Sequence, residues 1–110
     1  MAGAFEISKA KSGQYHFNLK AGNGEIILSS EMYETKDSAL NGVASVQKNC
    51  TQSERYGKEI SSSGKPYFTL KAANHQVIGS SQMYTSAAMR DAGIESVKTN
   101  GVTTVIRDAA

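Results

Sequence analysis

Few side chains in this sequence are of the types that carry chemistry, and most of those come in pairs. The histidines are His16 and His75, and the one cysteine is Cys50. Metal centres need several His, Cys, Asp or Glu ligands converging at close range. No short ligand spacing occurs here, so neither a metal site nor any cofactor is expected. Cys50 continues the apolar series Ala39, Val43 and Val46, which makes it a buried structural thiol. Ser29-Ser30 and Ser80-Ser81 lack a Gly-x-Ser-x-Gly context and read as hydroxyls that bond strand ends or a connector. Glu31 and Glu34 are not matched in the second half, where Gln82 and Thr85 stand, and they read as solvated surface. No phosphate-cradling glycine loop leads into a helix, because Gly22 and Gly24 belong to a hairpin. No catalytic residue emerges, and the chain is not expected to be an enzyme.

The pairing itself is the strongest signal. Sliding the sequence against itself by 51 residues makes fourteen of the thirty-three positions from Phe17 to Asn49 identical to their partners from Phe68 to Asn100. The chain is therefore a tandem duplication of one unit. We expect one domain made of two repeats, about 1–53 and 54–110.

Each repeat must place its residues on strand, strand, strand and helix. Phe5-Glu-Ile-Ser-Lys9 alternates apolar and polar, as a half-buried strand does. Tyr15, Phe17, Leu19 and Ala21 alternate with His16, Asn18 and Lys20. Asn23-Gly24 is a strong short hairpin signal, because both positions tolerate positive φ, and Glu25–Ser30 forms the third strand. The second repeat places strands near Tyr56–Ile60, Tyr67–Ala72 and Gln76–Ser81, with Pro66 at a strand start. Thr35 and Ser86 are N-cap residues for the two helices. Gly42 and Gly93, repeated mid-helix, predict close approach of helix to sheet. Met32-Tyr33 and Met83-Tyr84 are expected to seat the connector against the core, and Val102–Ile106 to form a last strand.

The words Leu-Lys-Ala-x-Asn, Ile-x-Ser-Ser-x-Met-Tyr and Gly-[Val/Ile]-x-Ser-Val-x-x-Asn, each occurring twice, closely resemble the YegP-like family. The resemblance implies an α+β fold of tandem β(3)-α-β repeats. They share one antiparallel sheet with two helices on one face and exchange their C-terminal strands. It implies no catalytic residues, because the family is a domain of unknown function. His75 departs from the first copy's Gly24, and Arg90 from its Ala39.

Charge narrows the partners. Residues 1–50 carry five basic and five acidic residues, and residues 51–110 carry seven and five, with no basic stripe of the kind a strong nucleic-acid binder shows. The start, Met1-Ala-Gly-Ala-Phe-Glu6, carries no signal-like leader, and no apolar run reaches membrane-spanning length. With a single cysteine, a reducing cytoplasmic location is expected. The one constellation that invites a ligand is the polar sheet face. There Lys20 pairs by repeat with Lys71 and His16 with Tyr67, with Asn23 and Asn74 at the hairpin tips. A solvated face kept soluble by lysine is the structural alternative. The reading is a small non-enzymatic binding or interaction module, a monomer, whose partner is a protein, a peptide or a small anion and not a membrane. A nucleic-acid module using the sheet face is the alternative, and an uncharacterised enzyme a second one.

Overall fold

The structure, a computed structural model, describes residues 3–109, so Met1 and Ala2, on which part of the leader reading falls, lie outside the described residues. The elements run β1 (Ala4–Lys9), β2 (Tyr15–Lys20), β3 (Ile26–Ser30), α1 (Lys36–Asn49), a 3-10 turn (Ser53–Arg55), β4 (Tyr56–Ile60), β5 (Pro66–Lys71), β6 (Val77–Ser80), α2 (Ala87–Asn100) and β7 (Ile106–Asp108). The strands form one sheet in the order β4-β5-β6-β3-β2-β1-β7, with β3 and β6 meeting at an internal pseudo-two-fold. Every pair is antiparallel except β1 with β7, which is parallel, so the sheet is mixed.

The exchange between repeats follows from where the chain goes after each helix. Beyond α1 it crosses to the second repeat and, after the 3-10 turn, becomes β4. Beyond α2 it crosses back and lies beside β1 as β7. The last strand is thus displaced from the expected Val102–Ile106. Gln47 of α1 donates its Nε2 to the Thr103 carbonyl at 2.7 Å, and Val105 N–H turns to Thr103 Oγ1. Pairing with β1 starts only where Phe5 N–H donates to Val105 O at 3.0 Å.

Alternation on β2 and β5 buries Phe17, Leu19, Phe68 and Leu70 completely, and both helices pack on that face. Each such side chain contributes about 1.5–3 kcal/mol by leaving water. Gly42 and Gly93 do face the sheet. A Cβ at Gly42 would stand 2.8 Å from Tyr33 Cζ and 2.9 Å from Phe17 Cε2, and one at Gly93 2.7 Å from Tyr84 Cζ. A bulge in each repeat adds further residues to the core. Leu19 pairs with Leu28 but Lys20 with Ile26, so Ile27 is the extra residue and turns inward, as Ile78 does in the second copy.

Of the Met-Tyr pairs, the tyrosines and not the methionines seat the connector. Tyr33 exchanges backbone hydrogen bonds with Tyr15 at 2.7 Å and stacks on Phe17, and Tyr84 stacks on Phe68. Met32 and Met83 point away and are 54% and 49% exposed, against expectation. Ser30 and Ser81 behave as read: each Oγ accepts from a core-strand N–H, Phe17 at 2.8 Å and Phe68 at 3.0 Å, and donates to the next carbonyl in the chain.

The expected hairpin forms at Asn23-Gly24. Gly24 N–H bonds back to Ala21 O, and of the Asn23-Gly24 pair only Gly24 has positive φ. Asn23 instead caps the turn, its Oδ1 accepting from Glu25 N–H at 3.0 Å. The same turn recurs with Gly13, Gly64 and, at φ 69°, His75. It is a three-residue loop ending in a left-handed residue.

Candidate binding surface

With both helices on one face, the other face of the sheet is open. From β2 it presents His16, Asn18 and Lys20, and from β5 Tyr67, Thr69 and Lys71, all partly exposed. Between them Ser29 pairs with Ser80 across the pseudo-two-fold, giving the face a centre of small polar side chains. β2 and β5 run in opposite directions and lie three strand spacings apart, about 14 Å. Lys20 and Lys71 therefore share the face but stand at opposite ends of it, with His16 on the side of Lys71 and Tyr67 on the side of Lys20. The structure does not gather these four into one cluster. Asn23 and Asn74 lie apart, at hairpin tips, their carbonyl oxygens spent on their own turns.

The two lysines also differ in their partners. Lys20 forms an ion pair with Glu6 of β1 at 3.0 Å, and Arg107 of β7 reaches the same carboxylate at 3.5 Å. The Lys20 hydrogen bond holds the Glu6 carboxyl below the usual range against the opposing effect of burial. In the second repeat Gly57 stands where Glu6 stood. Among the described residues Lys71 has no ion-pair partner; its Nζ would lie 3.6 Å from a Cβ on Gly57, and the Glu59 carboxylate 3.0 Å from it. Beside them the Thr69 hydroxyl is buried with no hydrogen-bond partner among the described residues. Lys71, Thr69 and Glu59 thus crowd over Gly57, one cation and one carboxylate beside a hydroxyl with no partner among the described residues.

A second feature escaped the sequence reading. A groove of about 200 Å³ lies between β4 and α2, lined by Tyr56, Lys58, Asp91, Ile94 and Lys98 among others. Its signal in the sequence is a set of replacements. Lys58, Asp91, Glu95 and Lys98 stand where the first copy has Ile7, Leu40, Ala44 and Gln47. Burial pushes the Asp91 carboxyl up, but hydrogen bonds from Arg90 and Lys58 outweigh it and hold the group below its ordinary value. Burial raises both the Tyr56 phenol and the Cys50 thiol, and Tyr56 Oη donates to Cys50 O at 2.6 Å. Cys50 is wholly buried, as its place on the helix predicts. Among the described residues no three His, Cys, Asp or Glu side chains come together, and no helix is long and apolar enough to cross a membrane.

The doubled architecture has a counterpart among known sequences. The pattern described as "Domain of unknown function (DUF1508)" matches residues 10–56 and again residues 61–108. The chain belongs to this family. Among its relatives, a UPF0339 protein of Acinetobacter baylyi is 62% identical over 108 residues, spanning 98% of this chain and 97% of that protein. The UPF0339 protein YegP of Escherichia coli (strain K12) is 58% identical over 98% of both chains. The solution NMR structure of yegP from Escherichia coli, described as a protein of unknown function, superposes with a TM-score of 0.94 at 58% identity, covering 99% of this chain and 94% of that one. That of a UPF0339 protein from Shewanella oneidensis gives 0.92 at 57% identity, covering 98% and 92%. The DUF1508 fold is thus shared across the whole chain, and these names assign no activity.

Proposed function

We propose that this DUF1508 chain is a non-enzymatic binding module of the cytoplasm, with the open sheet face as its contact surface and a protein, a peptide or a small anion as its partner. One observation carries the reading: Lys71 stands without an ion-pair partner among the described residues, next to a Thr69 hydroxyl that is buried with no hydrogen-bond partner among them. Desolvated polar groups of this kind favour a ligand that satisfies them. Lys20 is held by Glu6 while Lys71 has no such ion pair among the described residues, which favours the second repeat as the binding half.

The test is recovery of native partners by wild type, Lys20→Ala, Lys71→Ala and the double variant, with nucleic acid digested in a parallel sample. Lys71→Ala loses the partner, Lys20→Ala keeps most of it, and melting temperatures stay close, since exposed changes lie within about 0.5 kcal/mol. A double variant that recovers every partner normally rejects the open face. Loss of all partners on digestion, with binding that weakens steeply in salt, moves the assignment to nucleic acid.

A further inference from the structure

β1 and β4 hold equivalent places in the two repeats, but only β1 has a strand on its outer side. There β7 lies parallel to it, with Phe5 N–H donating to Val105 O at 3.0 Å and Ala109 N–H to Ile7 O at 2.8 Å. Ile106 stands opposite Phe5 and Asp108 opposite Ile7. Lys36 of α1 holds Asp108 at 2.6 Å. The first repeat thus displays the slot beside an edge strand and the segment laid along it, whose three strand residues stay exposed.

The second repeat has the same slot with nothing in it among the described residues. β4 is the other edge of the sheet, and the groove beside it runs over Tyr56 and Ile94. Lys58 stands where Ile7 stood, directly across from the place equivalent to Asp108. It pairs with Asp91 at 3.4 Å, and Arg90 also holds Asp91 at 3.2 Å. Lys98 bonds Glu95 at 3.2 Å and Ser53 Oγ at 2.7 Å. Three cations face two carboxylates, so an added carboxylate can take Lys58 while Asp91 keeps Arg90.

We propose that the β4–α2 groove docks an extended segment of a partner protein as a parallel strand on β4, the segment reading aliphatic, any residue, then Asp or Glu. The aliphatic side chain lies on Tyr56 and Ile94, and the acid pairs with Lys58. Edge-strand addition supplies backbone hydrogen bonds, and alternate side chains supply selectivity. A second copy of this chain is the poorer occupant. Antiparallel pairing of β4 with itself about Lys58 sets that lysine opposite its own copy, which is destabilising. This surface is distinct from the open face, and the inference stands whether or not that face binds anything.

The probe is a synthetic peptide of the chain's own slot-filling segment, Thr103-Thr-Val-Ile-Arg-Asp-Ala109, added to the isotope-labelled full-length protein and followed by amide chemical shifts. A second peptide carries Lys at the place of Asp108. Saturable shifts confined to Tyr56–Ile60 and Asp91–Lys98 are expected, with the acidic peptide at least about tenfold tighter than the lysine peptide. Lys58→Glu, whose own spectrum reports that it is folded, inverts that preference. Shifts at β1 in place of β4, no shifts at all, self-association through β4 without peptide, or a preference unmoved by Lys58→Glu each overturn the proposal.

Discussion

Cys50 and Gly101 hold equivalent places in the two copies and lie against each other where the helices end. A Cβ on Gly101 would stand 2.8 Å from Cys50 Sγ and 2.9 Å from its Cβ, so the contact admits one side chain and not two. We expect Gly101→Ala to destabilise by about 1–3 kcal/mol through overpacking. In a Cys50→Gly background the same change should cost less, and the coupling of about 1 kcal/mol is read from urea unfolding of the four-member cycle. His75 is the mirror case, a side chain where three sister turns carry glycine at φ between 83° and 89°. A left-handed residue with a Cβ carries a penalty, so His75→Gly should be neutral or stabilising by up to about 1 kcal/mol in the same assay. The turn penalty at residue 75 was legible from the repeat alone, because Gly24 marks the position. The Cys50–Gly101 contact was not, because nothing in a linear alignment says that two equivalent positions touch.

Within elements, the serine that ends each hairpin strand does what a longer ladder would do elsewhere. Ser81→Ala leaves the Phe68 N–H buried without its acceptor, and we expect a loss of about 1–3 kcal/mol by thermal unfolding. Glu6 ties β1, β2 and β7 together on the open face through Lys20 and Arg107. Its folded carboxyl lies below the ordinary value of 4.5, so the stability it adds is present above that pH and is lost as pH falls through the folded value. Melting temperatures measured between pH 7 and pH 3 should fall more steeply below about pH 4.5 in wild type than in Glu6→Gln. The strand and helix inventory was readable because hydrophobic period and caps are local. The displacement of β7 was not, since it depends on Gln47 holding Thr103 from 56 residues away. The hairpin was legible from Asn23-Gly24, although Asn23 satisfies its turn with its side chain and has no need of positive φ.

For the whole molecule, duplication supplies both halves of one core, and Phe17, Leu19, Phe68 and Leu70 from the two copies belong to the same buried cluster. A monomer is therefore expected in sedimentation at micromolar concentration, and an obligate dimer there contradicts it. The candidate site was half legible at this scale. Alternation placed Lys20 and Lys71 on one face, but their separation and unequal pairing follow from strand order and from Gly57, which only the assembled sheet reveals.

The pairing of β7 with β1 also has a temporal side. Arg107 and Glu6, which meet there, are 101 residues apart in the chain. At a synthesis rate of roughly 5–20 residues per second, the first strand waits on the order of 5–20 seconds for its neighbour to be made. During that interval the amino-terminal repeat can form its hairpin and helix, but its outer edge stays open to whatever extended chain is nearby. The closing contact is the most non-local in the sheet, so loop-closure entropy places it late in folding as well as late in translation. A nascent chain halted before residue 105 is left with an unclosed edge at each side of its sheet, where the finished chain keeps only the one at β4.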